Sequence, residues 1–399
     1  MHQSNTKKEH LWSKNYLFVI VAGGLFMIIH FALISFAPAY MVQSGYSSFM
    51  AGLQNTLYSM FCVVFRFYYA PLADIRGRKR LMQLGALAFA AGALTFYLSA
   101  GSFAVVVLAR ALMGLGMASY LSAASCYVTE IVPIQKRGVS IGIQRSVYSL
   151  SLMLGPAGAV EIIRSPYGYR GLFLTLMVTG LIAFLLVTMV RDAYQPQKKR
   201  VNLVHIFKEY AHLLKNKQVA QIYIMLLALC LAYGAVLSFA TLYLSGFEGI
   251  SNVGLFFTFY SIGGLAGNLI GGSSADRYSL KTLAITYAIV SGLGTSALIL
   301  IPLAPFTMMW LTGLVGGFGF TAALTVTINW LIDIVPVENK GAALGLQESS
   351  IDGGIALGSL VFGLLTFIWT QGLIFLVMGL LSISVPIWIA MSLPKPEQV

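Results

Sequence analysis

Charged side chains are scarce in this chain. Asp, Glu, Lys and Arg make up 10% of its 399 residues, against about 25% in soluble domains. So few charges cannot cover an ordinary aqueous surface, and 58% of the residues are hydrophobic, with a mean hydropathy of +0.82. Cysteine is scarcer still. Cys62, Cys126 and Cys230 stand far apart inside apolar runs, which excludes a disulfide scaffold. No CxxC or HxxxH spacing occurs, so no zinc site is expected. The motifs HExxH and GxxxxGK[ST] are absent too, and no His pairs with a Ser or Cys in a recognisable catalytic motif, so neither an enzyme nor an ATP-driven pump is expected, and no cofactor. Disorder needs low hydrophobicity and high charge, and both are missing.

What the sequence does have is long apolar runs. A helix crossing a bilayer needs roughly 20 mostly apolar residues. That ruler gives twelve spans, near 16–41, 47–73, 81–101, 103–130, 138–163, 168–190, 219–246, 250–275, 282–302, 304–332, 341–368 and 371–392. Continuous apolarity without alternation excludes a β-barrel. The first run is too long for a signal peptide.

Cations set the orientation. Lys7, Lys8, Lys14, Arg76, Arg78, Lys79, Arg80, Lys136, Arg137, the 191–217 linker, Arg277, Lys281, Lys340 and Lys395 all fall on one side, and only Arg164 and Arg170 on the other. Both termini are therefore expected in the cytoplasm of a bacterial-type cell membrane. The net charge of +12 is a topology signal; scattered over short loops without interleaved aromatics, it does not point to nucleic acid.

The chain reads as two halves. Residues 1–15 form a tail, 16–190 a first bundle, 191–218 a linker, 219–392 a second bundle and 393–399 a second tail. In the linker Leu203, Phe207, Tyr210 and Leu214 recur at helical spacing, predicting a short amphipathic helix on the membrane surface. The segment Glu130-Ile-Val-Pro133-Ile-Gln-Lys136-Arg137-Gly138 returns as Asp333-Ile-Val-Pro336-Val-Glu-Asn339-Lys340-Gly341; Gly142-Ile-Gln144 returns as Gly345-Leu-Gln347, and Ala73-Asp74 as Ala275-Asp276. Six spans were duplicated in one orientation. Parallel repeats of this kind place a cavity at their interface, near mid-membrane.

The loop after span two, Ala70-Pro-Leu72-Ala73-Asp74-Ile75-Arg76-Gly77-Arg78-Lys79-Arg80, resembles the G-x-L-A-D-R-x-G-R-K/R motif of the major facilitator superfamily. It departs at two positions, Ala70 and Ile75. A weaker copy, Gly272-Ser-Ser-Ala275-Asp276-Arg277, follows span eight. Arg110-x-x-Met113-Gly114-x-Gly116 is similar to the R-x-x-x-G-x-G element of span four. Ser151-x-x-x-Gly155-Pro156-Ala157-Gly158 resembles, with one glycine replaced and one displaced, the exporter motif of span five. The resemblance covers essentially the whole chain. It implies an all-α polytopic fold of twelve transmembrane helices in two pseudo-symmetric six-helix bundles. It also implies a monomeric secondary transporter working by alternating access, with a small-molecule substrate and protons as partners. Export by antiport is the leading expectation, uptake by symport the alternative. A transport-inactive receptor or enzyme is the rival of another class.

Within the spans, ionisable groups are costly and need a partner or a role. Counting from Gly341, Asp352 sits about 16 Å deep, with Glu348 one turn shallower. The repeat makes Arg145 the counterpart of Glu348. Proton coupling is assigned to Asp352, Glu348 and, by the resemblance, Arg110. Substrate binding is assigned to Arg145, Asp352, His30, Tyr148, Tyr233 and Asn55. A cytoplasmic gate falls to Asp74, Arg76, Gly77, Arg78, Arg66, Asp276 and Arg277. For Arg145 and Glu348 a locking ion pair stays open as an alternative; for Arg110 and His30, plain packing does.

Overall fold

Long apolar runs cut by Gly, Pro and Asn become helices cut at those residues. The computed structural model describes residues 12–133, 136–191, 203–275, 277–336 and 339–392. Among them are α1 (Lys14–Gln43), α2 (Ser48–Arg76), α3 (Arg78–Leu98), α4 (Phe103–Ile131), α5 (Arg137–Arg164) and α6 (Gly168–Thr188). A short α7 (Leu203–Leu213) follows. The second half holds α8 (Lys217–Leu244), α9 (Leu255–Ala275), α10 (Leu280–Ser296), α11 (Pro305–Ile334), α12 (Lys340–Leu365) and α13 (Gln371–Ser392). No strand occurs among the described residues. Eleven of these helices are long and apolar enough to cross a membrane. The twelfth long helix, α2, has the length, but Gln54, Asn55 and Arg66 dilute its apolarity.

Boundaries follow local chemistry. Asn216 caps α8, its Oδ1 accepting from the Gln218 and Val219 amides. Gly77 joins α2 to α3 at φ 89°, a left-handed backbone that favours glycine. The sequence places the start of the eighth span at 250, but α9 begins only at Leu255. The Asn252 side chain accepts from the Gly254 amide and turns the chain first. Likewise α10 ends at Ser296 and passes into a 3-10 turn, Ala297–Leu303, around Pro302.

Contacts divide the chain into two units. The first is Met1–Leu33, Met60–Gly155 and Glu161–Val201; the second is Ile34–Ser59, Pro156–Val160 and Asn202–Val399. Two helices, α1 and α2, therefore each contribute a segment to the second unit, and α5 contributes one turn. In the first unit α3 packs along α4 and α6, and Phe26 lies between the rings of Phe89 (4.2 Å) and Tyr120 (4.4 Å). Its linker end is tied by the Tyr16 hydroxyl donating to the Ser140 carbonyl and by the Arg191 amide donating to Asn15 Oδ1. In the second unit α9 and α10 flank α11, and α8 runs along α12. Small residues permit this: a Cβ on Gly317 would run into the Tyr260 carbonyl. Beside α12, the Tyr210 hydroxyl of α7 lies against Gly345.

Candidate transport site

The second unit gathers the acids. Glu348 and Asp352 are both half-buried on α12, one helical turn apart. Cys230 of α8 is fully buried within electrostatic reach of both carboxylates. The helices meet there because α12 presents Gly354 to the Cys230 side chain. One turn along α8, the Tyr233 ring stacks on Phe320 of α11 at 4.0 Å and on Tyr260 of α9 at 5.8 Å. Four helices thus bring two carboxylates, a thiol and an aromatic stack into one neighbourhood. Such a place can hold a proton and present flat apolar surface to an organic solute.

The first unit gathers different groups. Tyr148 of α5 is half-buried, and its hydroxyl accepts from Gln144 Nε2 at 2.9 Å. It faces α1 at Gly23, where a Cβ would lie 3.4 Å from the Tyr148 ring and 3.7 Å from the Tyr120 hydroxyl. Arg145 is exposed on the same helix. Arg110 is 1% exposed; its Nη2 donates to the Leu33 carbonyl at 3.1 Å, and its guanidinium lies 5.0 Å from the Phe96 ring centre. His30 is buried, 4.8 Å from the Phe31 ring and within electrostatic reach of Arg110.

Asn55 is 0% exposed, and its amide is already engaged. It donates to the Ile34 carbonyl and to Ser238 Oγ, and its Oδ1 accepts from Gln54 Nε2. That makes it a junction between helices. Of the gate residues, Arg78 is buried and forms an ion pair with Glu130 at the end of α4. Arg66 is buried on α2, and Arg277 is exposed. Asp276 and the side chains of Asp74 and Arg76 lie outside the described residues, as do the side chains of Leu203 and Phe207.

Sequence reasoning missed Cys230, Gln144 and Glu130 as neighbours of the site. Glu130 opens the repeated segment, which was the available signal. Glu130→Gln is expected to cost about 1–2 kcal/mol, a buried-pair loss discounted for Glu130's exposure. The thermal midpoint of the detergent-solubilised protein reads this, and the charge exchange Arg78→Glu with Glu130→Arg should recover part of the loss.

Long apolar helices in two units, with acids and aromatics gathered inside them, are the make-up of a polytopic membrane protein. The Major Facilitator Superfamily model matches residues 19–253 and 249–399, and the chain belongs to that superfamily. It is a multi-pass membrane protein and a secondary transporter of small solutes. It is 26% identical over 368 residues to "Multidrug resistance protein MdtG" of Citrobacter koseri, covering 88% of this chain and 87% of that protein. To the MdtG protein of Enterobacter lignolyticus it is 23% identical over 402 residues, covering 96% and 93%. Its fold is similar to that of a D-xylose-proton symporter (TM-score 0.77, 17% identity, 96% and 98% covered). It is also similar to that of the nucleoside transporter NupG (TM-score 0.76, 16% identity, 96% and 100% covered).

Proposed function

We propose that this protein exports small, drug-like organic solutes in exchange for protons. Its six-helix halves, 16–190 and 219–392, move about the linker with both termini in the cytoplasm, and the working unit is a monomer. Asp352 takes up and releases the coupled proton, Glu348 shares its field, and the Tyr233 stack offers the solute an apolar wall. On the first half, Arg145, Tyr148 and His30 supply polar contacts, and Arg110 holds α1 and α4 in register for coupling. The loop Asp74–Arg78, with Arg66, Asp276 and Arg277, closes the cytoplasmic side through charge-assisted bonds and helix-end attraction.

The observation that carries this reading is the pair of half-buried carboxylates one turn apart on α12, beside a buried thiol and an aromatic stack. A passive facilitator has no need of such a pair, because each intramembrane acid costs on the order of 3 kcal/mol. Export is favoured by the likeness to multidrug resistance proteins over most of the chain. Proton-coupled uptake is the second reading, favoured by the fold likeness to a D-xylose-proton symporter.

Vesicles distinguish the two. In inverted membrane vesicles energised acid-inside, an exporter accumulates its solute and a symporter does not. Collapsing the pH gradient with an ionophore should abolish the accumulation.

A further inference from the structure

Pro38 lies inside α1. Lacking an N–H, proline cannot bond to the carbonyl four residues earlier, and its ring pushes that carbonyl aside. Here that carbonyl belongs to Ile34, and inside a membrane it must find another donor. Three successive carbonyls of this turn each receive a side chain. Leu33 O accepts from Arg110 Nη2 at 3.1 Å, Ile34 O from Asn55 Nδ2 at 2.8 Å, and Ser35 O from Thr241 Oγ1 at 2.7 Å. The boundary between the two units falls between Leu33 and Ile34.

Asn55 Nδ2 carries two hydrogens. The second goes to Ser238 Oγ of α8 at 2.9 Å, and Ser238 Oγ in turn lies 2.6 Å from Ser359 Oγ of α12. Next to it, Thr56 Oγ1 donates to the Ala356 carbonyl at 3.0 Å. Gly52, one turn earlier on α2, lies so near α12 that a Cβ would stand 2.5 Å from the Ser359 carbonyl. Asn55, Ser238 and Ser359 are 0% exposed.

We propose that Asn55 is a positioning residue for alternating access. Through one hydrogen it permanently caps the Ile34 carbonyl that Pro38 leaves open. Through the other it latches α2 reversibly to Ser238. The latch is closed in this structure. Opening the outer end, where α1 passes into α2, breaks the Asn55–Ser238, Thr241–Ser35 and Thr56–Ala356 bonds and keeps Asn55–Ile34, so α1 bends at Pro38 instead of moving as a rod. Every bond that breaks is between neutral groups, and entering water replaces each nearly one for one. The inference rests on transport by alternating access and not on the proton role of Asp352.

The test needs no known solute. Ala356→Cys places a reporter at the latch, and a membrane-impermeant maleimide is applied from outside to reconstituted protein. Labelling is read above the baseline of the native Cys62, Cys126 and Cys230. Adding Asn55→Ala is expected to raise the labelling rate about tenfold. Adding Pro38→Ala restores the N–H that Ile34 O lacks, stiffens α1 against bending and is expected to slow labelling several-fold. Alanine in place of a helical proline favours the helix, so this variant folds. In a separate Asn55→Cys/Ser238→Cys variant, mild oxidation should form an intramolecular disulfide.

A merely structural Asn55 would lower the thermal midpoint and leave both labelling rates at that of Ala356→Cys alone. That result overturns the proposal, as does failure of the disulfide to form. If Asp352 proves irrelevant to proton flux, these expectations are unchanged.

Discussion

Asp352→Asn is expected to abolish solute-evoked proton flux in proteoliposomes while the protein still folds and still exchanges solute. The amide is nearly the same size as the carboxyl, so packing on α12 is kept. It cannot hold and release a proton, however, and loss of an essential proton-transfer group lowers rates by roughly 100-fold or more. Glu348 cannot substitute: it is one turn away on the same helix, at a different depth. Glu348→Gln is expected to slow flux without ending it, because both acids act on the field around Cys230 but only one carries the proton. A trapped pH-sensitive dye reads both variants. Solute exchange under equal pH separates lost coupling from lost binding.

The second large effect is on assembly. Arg110→Ala removes a buried cation from between three helices: α4, which carries it; α1, whose Leu33 carbonyl it bonds; and α3, whose Phe96 ring it covers. A hydrogen bond to a charged group contributes about 1.5–3 kcal/mol, and a desolvated cation over an aromatic face adds roughly 0.5–2 kcal/mol. The void left in a 1% exposed site adds to the loss. The detergent-solubilised variant should therefore unfold at a markedly lower temperature, by about 2 kcal/mol or more of stability. Arg110→Lys keeps the charge but not the planar fork, and is expected to recover little. If Arg110→Lys restores stability and abolishes coupling, the guanidinium acts in coupling more than in packing.

Much of this was legible in the residue order. Apolar runs of bilayer length located the helices, and the shortage of intramembrane charge drew attention to Glu348 and Asp352. What stayed hidden depended on register between helices. Arg78 and Glu130 belong to separate motifs, and no spacing rule joins the end of α4 to the start of α3. Asn55 reads from its position as a polar lining residue, yet it is drawn to Ile34 by a proline on another helix. Cys230 looks like an ordinary apolar-run cysteine until Gly354 brings α12 against it. Helix ends depart from the hydropathy where side chains turn the chain, as at Asn252.

In the proposed mechanism, movement of an organic solute is tied to movement of protons through Asp352. The direct measurement places wild type and Asp352→Asn in liposomes, imposes a pH gradient, and follows a trapped pH dye while drug-like solutes are added one at a time. Proton flux evoked by a solute is expected in wild type and is expected to be absent in Asp352→Asn. Equal flux in the two proteins, or solute movement in wild type with no proton flux at all, would contradict that mechanism.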